Sequence, residues 1–388
     1  MTIIVYLLKT TVVFVTLFSL YNLFLKNTTF LQLRRWYLSG ALFLSFLIPW
    51  ISTWLLPKHY YPEPGSFLAW IDGTVRHFPI TNWLTASHGN QLVNILTMTI
   101  LGVGFVLVAI KYTFSMGEMY RFLRGTRLVS KNRQYTIRTG NKGNGCFCFL
   151  KTIYLCGPSL NEQNINIILE HEKAHIRQRH YVDIFFSALC DFFLWYCPCT
   201  RQFQLAWEEV LECLADREAI RSLRIEPIVY QSVLYSNVEY SNVYTAVNQA
   251  FGRSMVAKRL LFISSKPSSI RRVLPHLFFS IAVVCVITTA LAIADIKIFH
   301  LRKINEIRNA GYDLHEVTTG YVLDSSTKKP VTQATVKGDR MVAVTDNNGF
   351  FFIEKTSSKL SVQHKAYNQK NTIASNGSII KIEPTFQN

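Results

Sequence analysis

The 388-residue chain has no C-x-x-C pair and no cysteine in its last 100 residues. Its eight cysteines are Cys146, Cys148, Cys156, Cys190, Cys197, Cys199, Cys213 and Cys285, and that distribution excludes a secreted disulfide framework. Cys197-Pro198-Cys199 has the wrong spacing for a redox or zinc-knuckle pair and reads as free thiols. Acidic residues are also scarce, with 24 Asp and Glu against 41 Lys and Arg, for a net charge of +17. Such an excess suits nucleic acid only when it forms a stripe with interleaved aromatics. Here the basic residues sit at the ends of apolar segments, so direct nucleic-acid binding is not expected. No small-residue cleavage site follows the first apolar run, which therefore reads as a retained helix rather than a signal peptide.

Apolar sequence is abundant: 49% of residues are hydrophobic and the mean hydropathy is +0.17. Four stretches, 2–25, 36–56, 92–112 and 275–296, are long enough to cross a bilayer of about 30 Å. Trp36, Tyr37, Trp50 and Trp54 mark the ends of the second, where interfacial aromatics belong. Loop 26–35 and both flanks of 113–274 are basic, which by the positive-inside rule places 113–274 in the cytoplasm. The loop 57–90 and everything after about 297 would then lie outside.

Within 113–274, His171-Glu172-Lys173-Ala174-His175 matches H-E-x-x-H in a run, Ser159 to Tyr181, that reads as one helix opened by a capping box, Ser159-x-x-Glu162. Positions i and i+4 share a helix face, so His171 and His175 can offer two imidazoles to one zinc ion. Glu172 is placed to act as general base on water. A catalytic zinc takes three protein ligands and keeps one position open. Glu212 is the candidate third ligand, with Asp216, one turn further on, holding a ligand histidine from behind.

Tyr135 to Arg138 and Cys146 to Leu155 read as the two arms of a hairpin, whose residues Cys146, Phe147 and Cys148 are candidates for holding a substrate as an added strand. Val182 to Cys197 is apolar but short and carries Asp183 and Asp191, so it reads as a helix packed in the core or dipping into the bilayer surface. Residues 297–316 read as a helical linker. Beyond them, short alternating runs such as Gly320 to Asp324 and Phe350 to Ile353, with a tight turn at Asp346 to Gly349, predict a small β-sandwich over 317–388.

With His171, Glu172, His175 and Glu212-x-x-Ala215-Asp216 set between spans, residues 1–295 resemble the β-lactam-sensor antirepressor metalloproteases of the BlaR/MecR type. The Cys146 to Leu155 strand and His180-x-x-Asp183 share in the resemblance. It implies a membrane-embedded cytoplasmic zinc protease that cuts itself or a transcriptional repressor on an outside signal. The last 75 or so residues resemble a carboxypeptidase regulatory-like domain, a non-catalytic β-sandwich, through Gly320-x-Val322-x-Asp324, Pro330, Ala334-x-Val336 and Thr345-Asp346-x-x-Gly349-x-Phe351. An external penicillin-binding domain does not fit: Ser326-Thr327-Lys328-Lys329 has the letters S-x-x-K but no K-T-G follows, and Ser326 reads as a turn residue.

The sequence thus predicts an α-helical multi-pass membrane protein with a mainly α (α+β) cytoplasmic zinc-metalloprotease domain and a small C-terminal β-sandwich. One zinc per chain, a bacterial inner-membrane location, a protein substrate and an unknown external ligand or partner go with it. Two alternatives stay open: a constitutive membrane protease of the CaaX type, and a non-catalytic receptor or scaffold with a structural zinc.

Overall fold

A computed structural model describes residues 3–56, 91–140, 145–156, 162–240, 246–313, 315–339, 341–355, 359–373, 375 and 378–385. The loop 57–90 and the capping box at Ser159 lie outside them. The chain is mostly helical and divides into two compact units, 1–48 with 92–285 and 49–91 with 286–388.

The first unit begins with α1, Ile3–Leu20, extended by a π turn over Tyr21–Leu25, and most of α2, Leu31–Leu55. The third apolar stretch belongs to a longer helix, α3, Gln91–Arg124. The fourth belongs to α9, Ile270–Asn309. All four helices are long and apolar enough to cross a membrane. On α3, Ile95, Leu96, Ile100, Val103, Val106 and Leu107 all point outward, an apolar surface that water would penalise and lipid would not.

Four strands follow α3: β1, Arg127–Lys131; β2, Thr136–Gly140; β3, Gly145–Phe149; and β4, Thr152–Cys156. Their order is β1-β2-β4-β3. The expected hairpin between Tyr135–Arg138 and Cys146–Leu155 is corrected here, because β2 runs parallel to β4. The hairpins are instead β1-β2 and β3-β4, the latter closed at Leu150, whose φ of 53° is the left-handed conformation a tight turn demands. The packing consequence is that β3 becomes an edge strand lying on the next helix.

That helix is α4, Glu162–Arg177, and it does not run on to Tyr181 as the sequence suggests. Arg179 takes a left-handed conformation, φ 54°, and a new helix, α5, His180–Phe193, starts at once. The Val182 to Cys197 run therefore lies largely in a 14-residue helix, too short to span. Its two carboxylates have cationic partners, Asp183 with Arg35 at 2.6 Å and Asp191 with Lys111 at 2.7 Å. After it come α6, Cys199–Leu223, α7, Pro227–Tyr240, and α8, Ala246–Ile263.

The basic segment 26–35, whose second half is the start of α2, is anchored on this helical layer. Arg34, only 1% exposed, bonds the Tyr21 hydroxyl and pairs with Glu209 of α6 at 3.0 Å. Arg217 of α6 donates to the Thr29 carbonyl, and Thr29 exchanges two hydrogen bonds with Ser268, just before α9. The basic loop, α6 and the approach to α9 thus share one side of the helix ends.

In the second unit, the C-terminal part of α9 packs on a seven-stranded sandwich. Its strands are β5, Val317–Asp324; β6, Thr335–Lys337; β7, Val342–Val344; β8, Phe350–Glu354; β9, Leu360–His364; β10, Tyr367–Thr372; and β11, Ser378–Ile382. Sheets β10-β9-β6-β7 and β11-β5-β8 enclose Val322, Val336, Phe351, Ile353, Val362 and Ile382. Gly349 is fixed by geometry: its φ is +70°, and a Cβ there would meet the Val322 carbonyl at 2.5 Å. Ser326 lies in a turn, its N–H donating to Asp324 Oδ1. The expected linker is helical to Asn309, where Ile307 is fully buried with Val317, Tyr321 and Phe350, and Lys303 pairs with Asp346 at 3.0 Å.

Candidate metal centre

The helical period of α4 brings His171 and His175 to one face, each 9% exposed, with their Nε2 atoms 3.1 Å apart. Glu212 comes in from α6, one oxygen 3.4 Å from His171 Nε2 and the other 3.3 Å from His175 Nε2. A tetrahedral metal with N and O ligands at about 2.0–2.1 Å has ligand-to-ligand edges of ~3.3–3.4 Å. The two imidazole nitrogens stand close to that spacing, each faces its own Glu212 oxygen, and one donor atom from each of the three residues lies within 4.8 Å of the others, so the triad His171, His175 and Glu212 can hold a metal ion.

Each histidine has a partner on its other nitrogen, and those partners assign the tautomers. His171 Nδ1 lies 3.0 Å from Asp216 Oδ1 and 2.9 Å from the Tyr230 hydroxyl, which itself donates to Asp216 at 2.6 Å. Asp216 thus stands behind His171, on the side of the ring away from Glu212. His175 Nδ1 faces His180 Nδ1 at 2.8 Å, and His180 Nε2 faces Gln178 Oε1 at 3.3 Å. With His175 Nε2 kept for the metal, its Nδ1–H donates to His180, whose own Nε2–H donates to Gln178. The break at Arg179 is what lets His180 fold back on His175.

The electrostatics act in opposite directions on His180 and His171. Burial pushes His180 down to about 2, with His175 and Arg35 beside it adding to the effect, so it stays neutral and can accept. Burial also opposes a charge on His171, but Asp216 and Glu212 outweigh it and raise His171 to about 10. Burial works against the Glu212 carboxylate as well; Arg259 and the two ring nitrogens prevail and hold it well below the ordinary range. Arg259, from α8, reaches Glu212 Oε2 at 2.9 Å and Asp216 Oδ2 at 2.8 Å.

Glu172 is 7% exposed beside the triad. The Cys148 thiol of β3 donates to its carboxylate, and burial, then Glu172 and Glu212, push that thiol's pKa up. Of the three strand candidates, Cys148 is thus at the site. Phe147 alternates to the opposite face of β3, where it packs against Phe122 and Tyr154. A cavity of about 350 Å³ opens beside His175 and Glu212, walled by Lys111 and Tyr112 of α3, Asp191 of α5, and Trp207 and Glu208 of α6.

Sequence reasoning missed Tyr230, Arg259 and the role of His180. The first two lie 59 and 88 residues from His171 and follow no spacing rule. His180 was in plain view, five residues after His175, but a single continuous helix would have carried it to another face. No protein-family model matches this chain, and no curated protein does.

Proposed function

We propose that the chain is a membrane-embedded zinc endopeptidase of the signal-transducing antirepressor type. The observation that carries this reading is the three-donor triad with Glu172 beside it, both histidines backed by hydrogen-bond partners and a cavity alongside. A structural zinc site is usually closed by a fourth protein ligand, whereas three donors leave a position for chemistry.

Zinc at His171, His175 and Glu212 supplies a Lewis acid for the scissile carbonyl and the attacking water. The chain's own groups do the rest. Glu172 takes the proton from the water and returns it to the leaving amine, work that suits a carboxylate in a low-dielectric pocket. Asp216 and Tyr230 hold His171 in the tautomer that frees Nε2, and His180 does the same for His175. In this reading an extended peptide lies along the β3 edge, and the cavity beside His175 receives a neighbouring side chain.

In this reading the metal centre lies on the cytoplasmic side of a bacterial inner membrane, with the basic loop 26–35. The sandwich lies outside, where a ligand or partner acts on the protease through α9. The substrate is a cytoplasmic transcriptional repressor or the chain itself. A constitutive CaaX-type protease shares the zinc chemistry and differs in cutting regardless of the sandwich. A non-catalytic receptor differs in tolerating loss of the base.

The test compares detergent-purified wild type with Glu172→Gln for zinc content and for fragments of the chain and a co-expressed repressor. The expected result is about one zinc in both proteins and fragments only from wild type. Wild type without zinc would overturn the metal centre, and fragments from both proteins would remove Glu172 from the chemistry.

A further inference from the structure

Glu212 and Asp216 stand one turn apart on α6 and close on the same imidazole from both ends, Glu212 at Nε2 and Asp216 at Nδ1. Two carboxylates so placed repel each other, and in a buried site that repulsion turns one aside unless a cation lies between them. Arg259 lies there, its side chain 11% exposed. Its guanidinium reaches three carboxylate oxygens at once: Nη1 to Glu212 Oε2 at 2.9 Å, Nε to Asp216 Oδ2 at 2.8 Å and Nη2 to Asp216 Oδ1 at 2.5 Å. Among the described residues it is the one Lys or Arg paired with either carboxylate.

We propose that Arg259 is a positioning residue of the metal centre, its planar fork fixing the aim of the ligand Glu212 and of Asp216 behind His171. The shape of the group carries the proposal. A lysine ammonium matches the charge, but it is a compact point donor on a flexible stem and cannot span three oxygens on two side chains in one plane. The centre is then complete only when α8 is docked on α6, although α8 supplies no ligand. The inference rests on the metal-centre part of the function proposed above.

The test measures zinc affinity of the full-length protein in detergent by competition with a chromophoric chelator, and the visible spectrum of the cobalt(II) form. Wild type is compared with Arg259→Gln, Arg259→Lys and, as a control on the same helix, Lys258→Gln, which loses only a half-exposed pair with Glu209. The expected result is zinc binding about 10- to 100-fold weaker in Arg259→Gln, with a changed cobalt spectrum, the range typical for losing a group that orients a ligand. Arg259→Lys should stay at least about tenfold weak, and Lys258→Gln should match wild type. Should Arg259→Gln fail to fold, Arg259→Lys, which keeps the charge, decides alone. Full recovery in Arg259→Lys, or unchanged or tighter binding in Arg259→Gln, would reduce Arg259 to charge balance and overturn the proposal. Wild type that binds no zinc would instead sink the metal centre itself.

Discussion

Zinc bound at the proposed centre would have to displace a proton from His171, which would make binding steeply pH-dependent. The Nδ1 side of the ring rests against Asp216 at 3.0 Å and the Nε2 side against Glu212 at 3.4 Å, and together they hold the imidazolium up to about 10. A group with that pKa is ~99% protonated at pH 8, against ~3% for an ordinary histidine near 6.5. The folded value lies above the unfolded one, so this contribution to stability is full below about pH 6.5 and fades as pH rises through about 10. Metal binding runs the other way. Apparent zinc affinity should rise by about one log unit per pH unit between 7 and 9, and at pH 7 lie on the order of 10³ below its high-pH limit. Titration calorimetry in buffers of different ionisation enthalpy counts the protons released, and Asp216→Asn supplies the contrast. At pH 8 the variant should release up to about one proton fewer per zinc than wild type. Equal release from both, or affinity flat between pH 7 and 9, would show that Asp216 does not hold the proton on His171.

Two further substitutions probe the frame around the centre. Arg34→Ala removes a 1%-exposed guanidinium from Glu209 and Tyr21, leaving Glu209 with Lys258 among the described residues, and should lower stability by about 3 kcal/mol in denaturant unfolding in detergent. Gly349→Ala forces a side chain into a left-handed position and against the Val322 carbonyl, and should destabilise the sandwich by about 1–3 kcal/mol while leaving zinc content unchanged.

The sequence by itself determined what rests on local periodicity. Residues i and i+4 share a helix face whatever the rest of the fold does, so spacing alone pairs His171 with His175 and Glu212 with Asp216. Long apolar runs marked the four candidate spans, and period-two alternation marked the sandwich, because both patterns answer to solvent rather than to partners far along the chain.

Only the tertiary structure decided what depends on distant segments meeting. The parallel pairing of β2 with β4 makes β3 an edge and sets Cys148 against Glu172, which no local signal in the four strands specifies. The left-handed turn at Arg179, a non-glycine residue with no helix-stop signature, breaks α4 and sends His180 back to His175. Tyr230 and Arg259 reach Asp216 only because α7 and α8 fold back toward α4 and α6. Helix periodicity paired His171 with His175; long-range packing brought Glu212 to them together with the groups that stand behind.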